Sequence, residues 1–92
     1  MTFRIELSRQ AKRALAQELP ESVASACREF IHGPLAENPY RVGKQLRKPY
    51  YPSYGARRGE FRVIYDIDED VVLVLIVNIR HRRDIYRAMD RR

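Results

Sequence analysis

A single cysteine, Cys27, in a chain of 92 residues excludes an intrachain disulfide and any thiolate-rich metal site. It stands among the apolar positions of a helix-like segment, so we expect a buried small hydrophobe rather than a nucleophile. A reducing compartment suits it. With four glycines and five prolines, no flexible arm or linker is apparent. No signal peptide can be read, because Met1–Leu7 already alternates between apolar and polar residues, and Val71–Val77 is far too short to cross a bilayer. A cytoplasmic protein without membrane contact is the expectation. There is no glycine-rich loop ending in Lys-Ser/Thr, no His-Glu-x-x-His and no pair of histidines at ligand spacing, so neither a metal nor another cofactor is expected. Nothing repeats, and the length fits one domain with a modest core.

Basic residues are what the chain has in excess, and they are unevenly spread. The formal net charge is +6. Residues 1–40 carry five basic and five acidic side chains and contribute nothing to it. The excess arises from Arg41, Lys44, Arg47, Lys48, Arg57, Arg58 and Arg62, opposed only by Glu60, with a second group at Arg80, Arg82 and Arg83. Clustering of this kind favours nucleic acid or an acidic protein over a neutral ligand. A merely solubilising surface is the plainer alternative.

Periodicity places these charges on elements. Phe3, Ile5 and Leu7 alternate with Arg4 and Glu6 as in a strand with one buried face. Ser8 is a helix cap, and Ala11, Ala14 and Leu15 give helical spacing over Arg9–Gln17. Pro20 suits the start of a second helix whose stripe is Val23, Cys27, Phe30 and Ile31; Gly33-Pro34 should end or distort it, with Leu35–Tyr40 as its exit. Lys44–Lys48 reads as a short strand and Pro49–Ser53 as a turn or irregular edge. Two strands, Tyr54–Arg57 and Glu60–Ile67, flank a tight turn at Arg58-Gly59; in the second, Phe61, Val63, Tyr65 and Ile67 share one face while Arg62, Ile64 and Asp66 take the other. After a polar turn at Asp68–Asp70, the aliphatic run Val71–Ile79 should lie centrally in the sheet, covered on both sides. A final helix should follow Arg80–Arg83, with Ile85 and Met89 four apart. The fold class is therefore α+β: a mainly antiparallel sheet of three to five strands, packed by two N-terminal helices, with a short C-terminal helix.

Among the candidate functional residues, Arg62 comes first, because a charge inside an apolar strand needs a partner. Asp66, on the same face, would serve if its role is structural. Arg82 and Arg83 follow the long strand, where positive charge opposes the helix macrodipole and so hints at use, although a solvated helix start is the ordinary role. Tyr86 lies within one turn of both and can share their face, and arginines beside it would stabilise a phenolate. Packing of its ring on the sheet is the alternative. His81, of the residue type that exchanges protons near neutral pH, is in the same stretch. Lys44, Arg47, Lys48, Arg57 and Arg58 can each hold a phosphate, and Tyr54, among the interleaved tyrosines, could stack a base.

The segment Leu46-Arg47, then Tyr54 and Ala56-Arg57-Arg58-Gly59-Glu60-Phe61-Arg62-Val63-Ile64-Tyr65, and the ending His81-Arg82-Arg83-Asp84-Ile85-Tyr86 together resemble the RelE toxins of the RelE/ParE superfamily of type II toxin–antitoxin systems. The resemblance spans nearly the whole chain. It implies a toxin that cleaves messenger RNA in the ribosomal A site without a metal, by attack of a ribose 2′-hydroxyl on the adjacent phosphate. It also implies an acidic antitoxin that covers the toxin and, through its own DNA-binding part, carries the pair to an operator. By position, Arg62 and Arg82 would stabilise the phosphoryl group and Tyr86 would handle a proton. Some members carry lysines in the strand before the arginine motif, where this chain has Ser53-Tyr54-Gly55-Ala56, so the general base is open between His81 and a group perturbed by neighbouring arginines. A ParE-like inhibitor of DNA gyrase and a non-catalytic RNA-binding regulator are the alternatives.

Overall fold

The structure, a computed structural model, describes residues 2–90, without the side chains of residues 88–90. Strand β1 (Arg4–Leu7) leads directly into helix α1 (Arg9–Arg13), where Ser8 works in two directions. Its Oγ accepts from the Ala11 amide at 3.0 Å, satisfying one free donor of the first turn, and donates to the Val77 carbonyl at 2.5 Å, fastening the helix start to the sheet. The helix predicted over Arg9–Gln17 is α-helical only to Arg13 and continues as a wider π-helical turn, Ala14–Glu18, ended before Pro20 by extended backbone at Leu19. Helix α2 (Glu21–Phe30) buries Ala24, Cys27 and Phe30, and at Gly33-Pro34 it widens into a second π-helical turn, Ile31–Leu35. Proline at that point lacks the amide that an α-helical ladder needs, so the helix distorts as expected. A one-turn helix α3 (Pro39–Val42) then stands where only an exit was predicted; Asn38 caps it, accepting from the Arg41 amide at 3.2 Å.

The sheet has five strands in the order β1-β5-β4-β3-β2. The predicted Lys44–Lys48 strand shrinks to β2 (Lys44–Gln45), because the chain turns back on itself from Arg47 to Ser53. Strands β3 (Tyr54–Arg58), β4 (Phe61–Asp68) and β5 (Leu73–His81) form the antiparallel meander, joined at one end by a tight turn in which Gly59 takes a φ of 59°. β1 pairs with β5 in parallel, the one non-antiparallel neighbour. The aliphatic run is displaced from its predicted bounds: Val71 is exposed and Val72, at a φ of 53°, belongs to the turn, whereas the strand runs on to His81. β5 is interior, between β1 and β4, but the middle of the sheet is β4.

Helices cover one face of the sheet, which we call the front. There Val63 and Tyr65 of β4 and Val74, Ile76 and Ile79 of β5 pack with Ala11, Leu15, Cys27, Phe30, Ile31 and Leu35, all buried, as the two predicted stripes require. The back face carries a smaller cluster: Ile85 of helix α4 (Arg82–Asp90) inserts against Ile64 of β4, with Leu46, Tyr50 and Val77 around it. Full burial of one isoleucine side chain contributes about 1.5–3 kcal/mol, enough to seat a short helix but little more. Of the expected Ile85/Met89 stripe, Met89 lies outside the described side chains.

Tyr65 ties the layers together. Its hydroxyl, buried, donates to the Pro39 carbonyl at 2.6 Å, and Gly43 lets the chain pass close enough for this. A Cβ at Gly43 would meet the Tyr65 hydroxyl and lie 2.8 Å from the Gly55 carbonyl oxygen. Gly43→Ala should therefore destabilise the fold by about 1–3 kcal/mol, the usual cost of overpacking, and an unchanged thermal melt would contradict this packing. Burial, aided by Tyr54, raises the pKa of the Tyr65 phenol above its ordinary value. The unfolded chain ionises this tyrosine near pH 10 while the folded one resists, so the associated stability is intact below about pH 10 and is lost as pH rises further. Denaturant melts between pH 8 and 11.5 should show a smaller alkaline loss for Tyr65→Phe than for the parent.

Candidate phosphate-binding groove

Strand register determines which charges meet. Arg57 on β3 is opposite Arg62 on β4, and Arg62 is opposite Arg80 on β5. Opposed residues share a face, so the three arginines form a row across the back of the sheet. Like charges directly opposite one another disfavour folding. Among the described residues no carboxylate pairs with any of the three. Asp66, the partner that a purely structural Arg62 would need, instead accepts a hydrogen bond from Ser53 Oγ at 2.5 Å.

Arg62 turns to Tyr86. Its Nη2 donates to the phenolic oxygen at 2.7 Å and its guanidinium carbon lies 5.5 Å from the ring centroid, while Nη1 is buried without any hydrogen-bond partner. An unsatisfied guanidinium nitrogen beside two further cations is the situation an anionic oxygen would relieve. Arg62 also lines a groove of about 570 Å³. Arg41, Lys44, Arg47, Arg57 and Arg62 line it together with Gly55, Ile85 and Tyr86, and among the described residues no carboxylate does. Phosphate-sized anions fit its charge, and Gly55 lets the Leu46 side chain pack down on β3, where a Cβ would lie 3.1 Å from it.

The remaining predicted residues lie elsewhere. Arg82 is ion-paired through Nε to Glu60 Oε1 at 2.8 Å, its backbone amide donating to the Glu60 carbonyl at 2.7 Å. His81 is opposite Phe61 on the front face, their rings 5.3 Å apart, and its Nδ1 accepts from the Arg83 amide at 3.1 Å. Arg83 is exposed at the start of α4. Arg58 also points to the front, 3.5 Å over the Phe30 ring. Tyr54 is half-buried there, its ring 5.8 Å from that of Tyr65 and stacked on it, so it serves the core. Lys48 is exposed on the loop after β2. Thus Arg62, Tyr86, Lys44, Arg47 and Arg57 come together, whereas Arg82, His81, Arg58, Tyr54, Lys48 and Arg83 do not line the groove. Sequence reasoning passed over Arg41 and Arg80. For Arg80 the signal was its even spacing from the back-face end of β5, hidden by the irregular register that follows Ile64.

A small α+β domain whose described residues line a groove on the back of its sheet with cations and no carboxylate has the charge that suits a polyanion. The comparisons narrow this. The family model described as ParE toxin of type II toxin–antitoxin system, parDE, matches residues 5–86. Toxin RelE of Mycobacterium tuberculosis is 44% identical over 85 residues, covering 92% of this chain and 87% of that protein. Toxin RelG of the same organism is 39% identical over 87 residues, covering 95% and 99%. In the crystal structure of the toxin–antitoxin complex RelBE2 from M. tuberculosis, one chain superposes with a TM-score of 0.81 at 34% identity, covering 88% of this chain and 99% of that one. The free E. coli toxin RelE, in a mutant form, shares the fold with a TM-score of 0.72 at 15% identity, over 99% and 98% of the two chains. The chain belongs to the RelE/ParE toxin superfamily and is a RelE-like toxin of a type II toxin–antitoxin system.

The arginine row makes its own prediction. Replacing Arg62 by Met removes a cation from between two others and a buried unsatisfied nitrogen, at the cost of one hydrogen bond to Tyr86. Arg62→Met should raise stability by about 0.5–2 kcal/mol at low ionic strength, the gain typical of relieving a functional site, and the gain should shrink with added salt. Thermal melts across a salt series check it, and a variant less stable than the parent at low salt would show that the row carries no strain.

Proposed function

We propose that the protein is a ribosome-dependent messenger-RNA endoribonuclease acting in the cytoplasm and restrained by an acidic antitoxin. The observation that carries this reading is the row Arg57–Arg62–Arg80, with the Tyr86 phenol held at 2.7 Å from Arg62 and no carboxylate partner among the described residues. A phosphodiester in the groove would lie against the Arg62 guanidinium that lines it. Attack by the neighbouring ribose 2′-oxygen forms a bond to phosphorus and breaks the bond to the 5′-oxygen, leaving a 2′,3′-cyclic phosphate and a 5′-hydroxyl. Charge on the non-bridging oxygens rises in the transition state, and arginines already fixed in place stabilise it without reorganising. Tyr86, in contact with Arg62, is the group positioned to exchange a proton with the substrate.

Two assignments differ from those the sequence suggests. We give the second phosphoryl-stabilising role to Arg80 rather than Arg82, because Arg80 continues the row while Arg82 is engaged by Glu60. His81 takes no part, since its ring lies on the front face against Phe61. The groove's charge also supports the antitoxin: a relative of known structure, RelBE2, is a toxin–antitoxin complex, and an acidic segment laid along five cations would exclude RNA from them. A gyrase inhibitor would share the fold but has no need of a phenol bonded to an arginine.

Single-turnover cleavage on programmed ribosomes tests the assignments. Arg62→Ala, Arg80→Ala and Tyr86→Phe should each slow cutting by about 10²–10³, as loss of a transition-state stabiliser does, with normal thermal melts. Arg82→Ala should cost far less. Equal cutting by Tyr86→Phe and the parent would remove the phenol from the mechanism, and DNA breaks with normal early translation on induction would replace the ribonuclease with a topoisomerase inhibitor.

A further inference from the structure

Arg80 has an unusual form of support. A long cationic side chain next to the like charge of Arg62 would tend to swing away from it, and holding a rotamer-rich arginine in one place carries an entropic cost. The group that meets it is Tyr50, whose hydroxyl accepts from Arg80 Nη1 at 3.1 Å across thirty positions of sequence. Tyr50 itself is firmly placed. Its ring packs on the cluster of Ile64 and Ile85. Its backbone is tied within the loop, the amide donating to the Arg47 carbonyl at 3.0 Å and the carbonyl accepting from the Ser53 amide at 2.8 Å, while the Leu46 amide donates to the Ser53 carbonyl at 2.8 Å.

We propose that Tyr50 is a positioning residue that holds the Arg80 guanidinium in the arginine row while leaving its charge available to the substrate phosphate. The choice of a phenol matters chemically. An aspartate or glutamate at this place would hold Arg80 more tightly but would neutralise it and repel the incoming phosphodiester; a neutral hydroxyl fixes one Nη1 hydrogen and leaves four guanidinium N–H donors and the full positive charge. The ring gives the hydroxyl a rigid mount, since its packing against Ile64 and Ile85 ties the same cluster that seats α4 and hence Tyr86. One tyrosine therefore sets the relation between the row and the helix that bears the phenol. The inference rests on the ribonuclease reading, and in particular on the role given to Arg80.

Tyr50→Phe keeps the ring and removes only the hydroxyl. On programmed ribosomes it should lower the single-turnover cleavage rate about ten- to a hundred-fold, the scale on which loss of alignment acts, with little change in ribosome binding. In an Arg80→Ala background the same substitution should have almost no further effect, because there is no guanidinium left to position. Independently of cleavage, the Arg80 Nε–H resonance should be resolved in the parent and should move to the position of a freely rotating arginine in Tyr50→Phe. Equal losses from Tyr50→Phe with and without Arg80, or an Arg80 resonance indifferent to the hydroxyl, would overturn the positioning role while leaving the ribonuclease standing. A parent protein that cuts no RNA would overturn the ribonuclease and, with it, the catalytic use of this contact.

Discussion

The pleat of β4 is the constraint on which the rest depends. Consecutive residues of a strand must point to opposite faces, so burying Val63 and Tyr65 under the helices obliges Arg62 and Ile64 to occupy the back of the sheet. The front face is specified by many side chains at once, and slipping the strand by one residue would put Arg62 into the core. Core packing therefore fixes the height and direction of the principal arginine of the groove far more rigidly than any local contact of Arg62 could. The same strand gives α4 its seat through Ile64, so the two halves of the groove are referred to one element.

That arrangement separates stability from chemistry across the thickness of the sheet. On the front, apolar burial and the Tyr65–Pro39 hydrogen bond carry the fold. On the back, the arginine row runs against elementary stability: like charges are neighbours and Arg62 Nη1 lacks an acceptor among the described residues. A surface of this kind persists in a small domain only because the front face is adequate without it. The exposed Arg82–Glu60 pair belongs to the other category; at 51% and 63% side-chain exposure it contributes at most about 1 kcal/mol and mainly settles where α4 begins.

The sequence disclosed the fold class, the two helices, the meander and the two faces of β4, because these follow from periods of 2 and 3.6 that packing does not override. It singled out Arg62 and Tyr86, which the structure brings into contact: one is a charge inside an apolar strand on the face opposite its core residues, and the other sits beside the apolar residue that anchors its helix. What it hid has local causes. The two π-helical turns add a residue per turn without changing the apolar pattern enough to be noticed, and α3 is a single turn capped by Asn38. The parallel partnership of β1 with β5 is non-local and leaves no mark on either strand. Reading the helix start as the aimed position favours Arg82, whereas strand register, visible only once Arg62 is paired, brings Arg80 alongside Arg62.

The charge of the groove, lined among the described residues by cations and no carboxylate, bears on the partner proposed for it. Five cations line a space of about 570 Å³, so its affinity for any polyanion is electrostatic and largely indifferent to sequence. On the ribonuclease reading, specificity would then come from what presents the phosphate, the geometry of a strand held on the ribosome, rather than from bases read by the protein. The same indifference would make the groove open to an acidic polypeptide, whose carboxylates would meet its cations. Binding of such a segment would relieve the repulsion between Arg57, Arg62 and Arg80 and stabilise the toxin as it silences it, since a ligand of the native state stabilises it by mass action. Inhibition and stabilisation thus have one physical origin in the unpaired row.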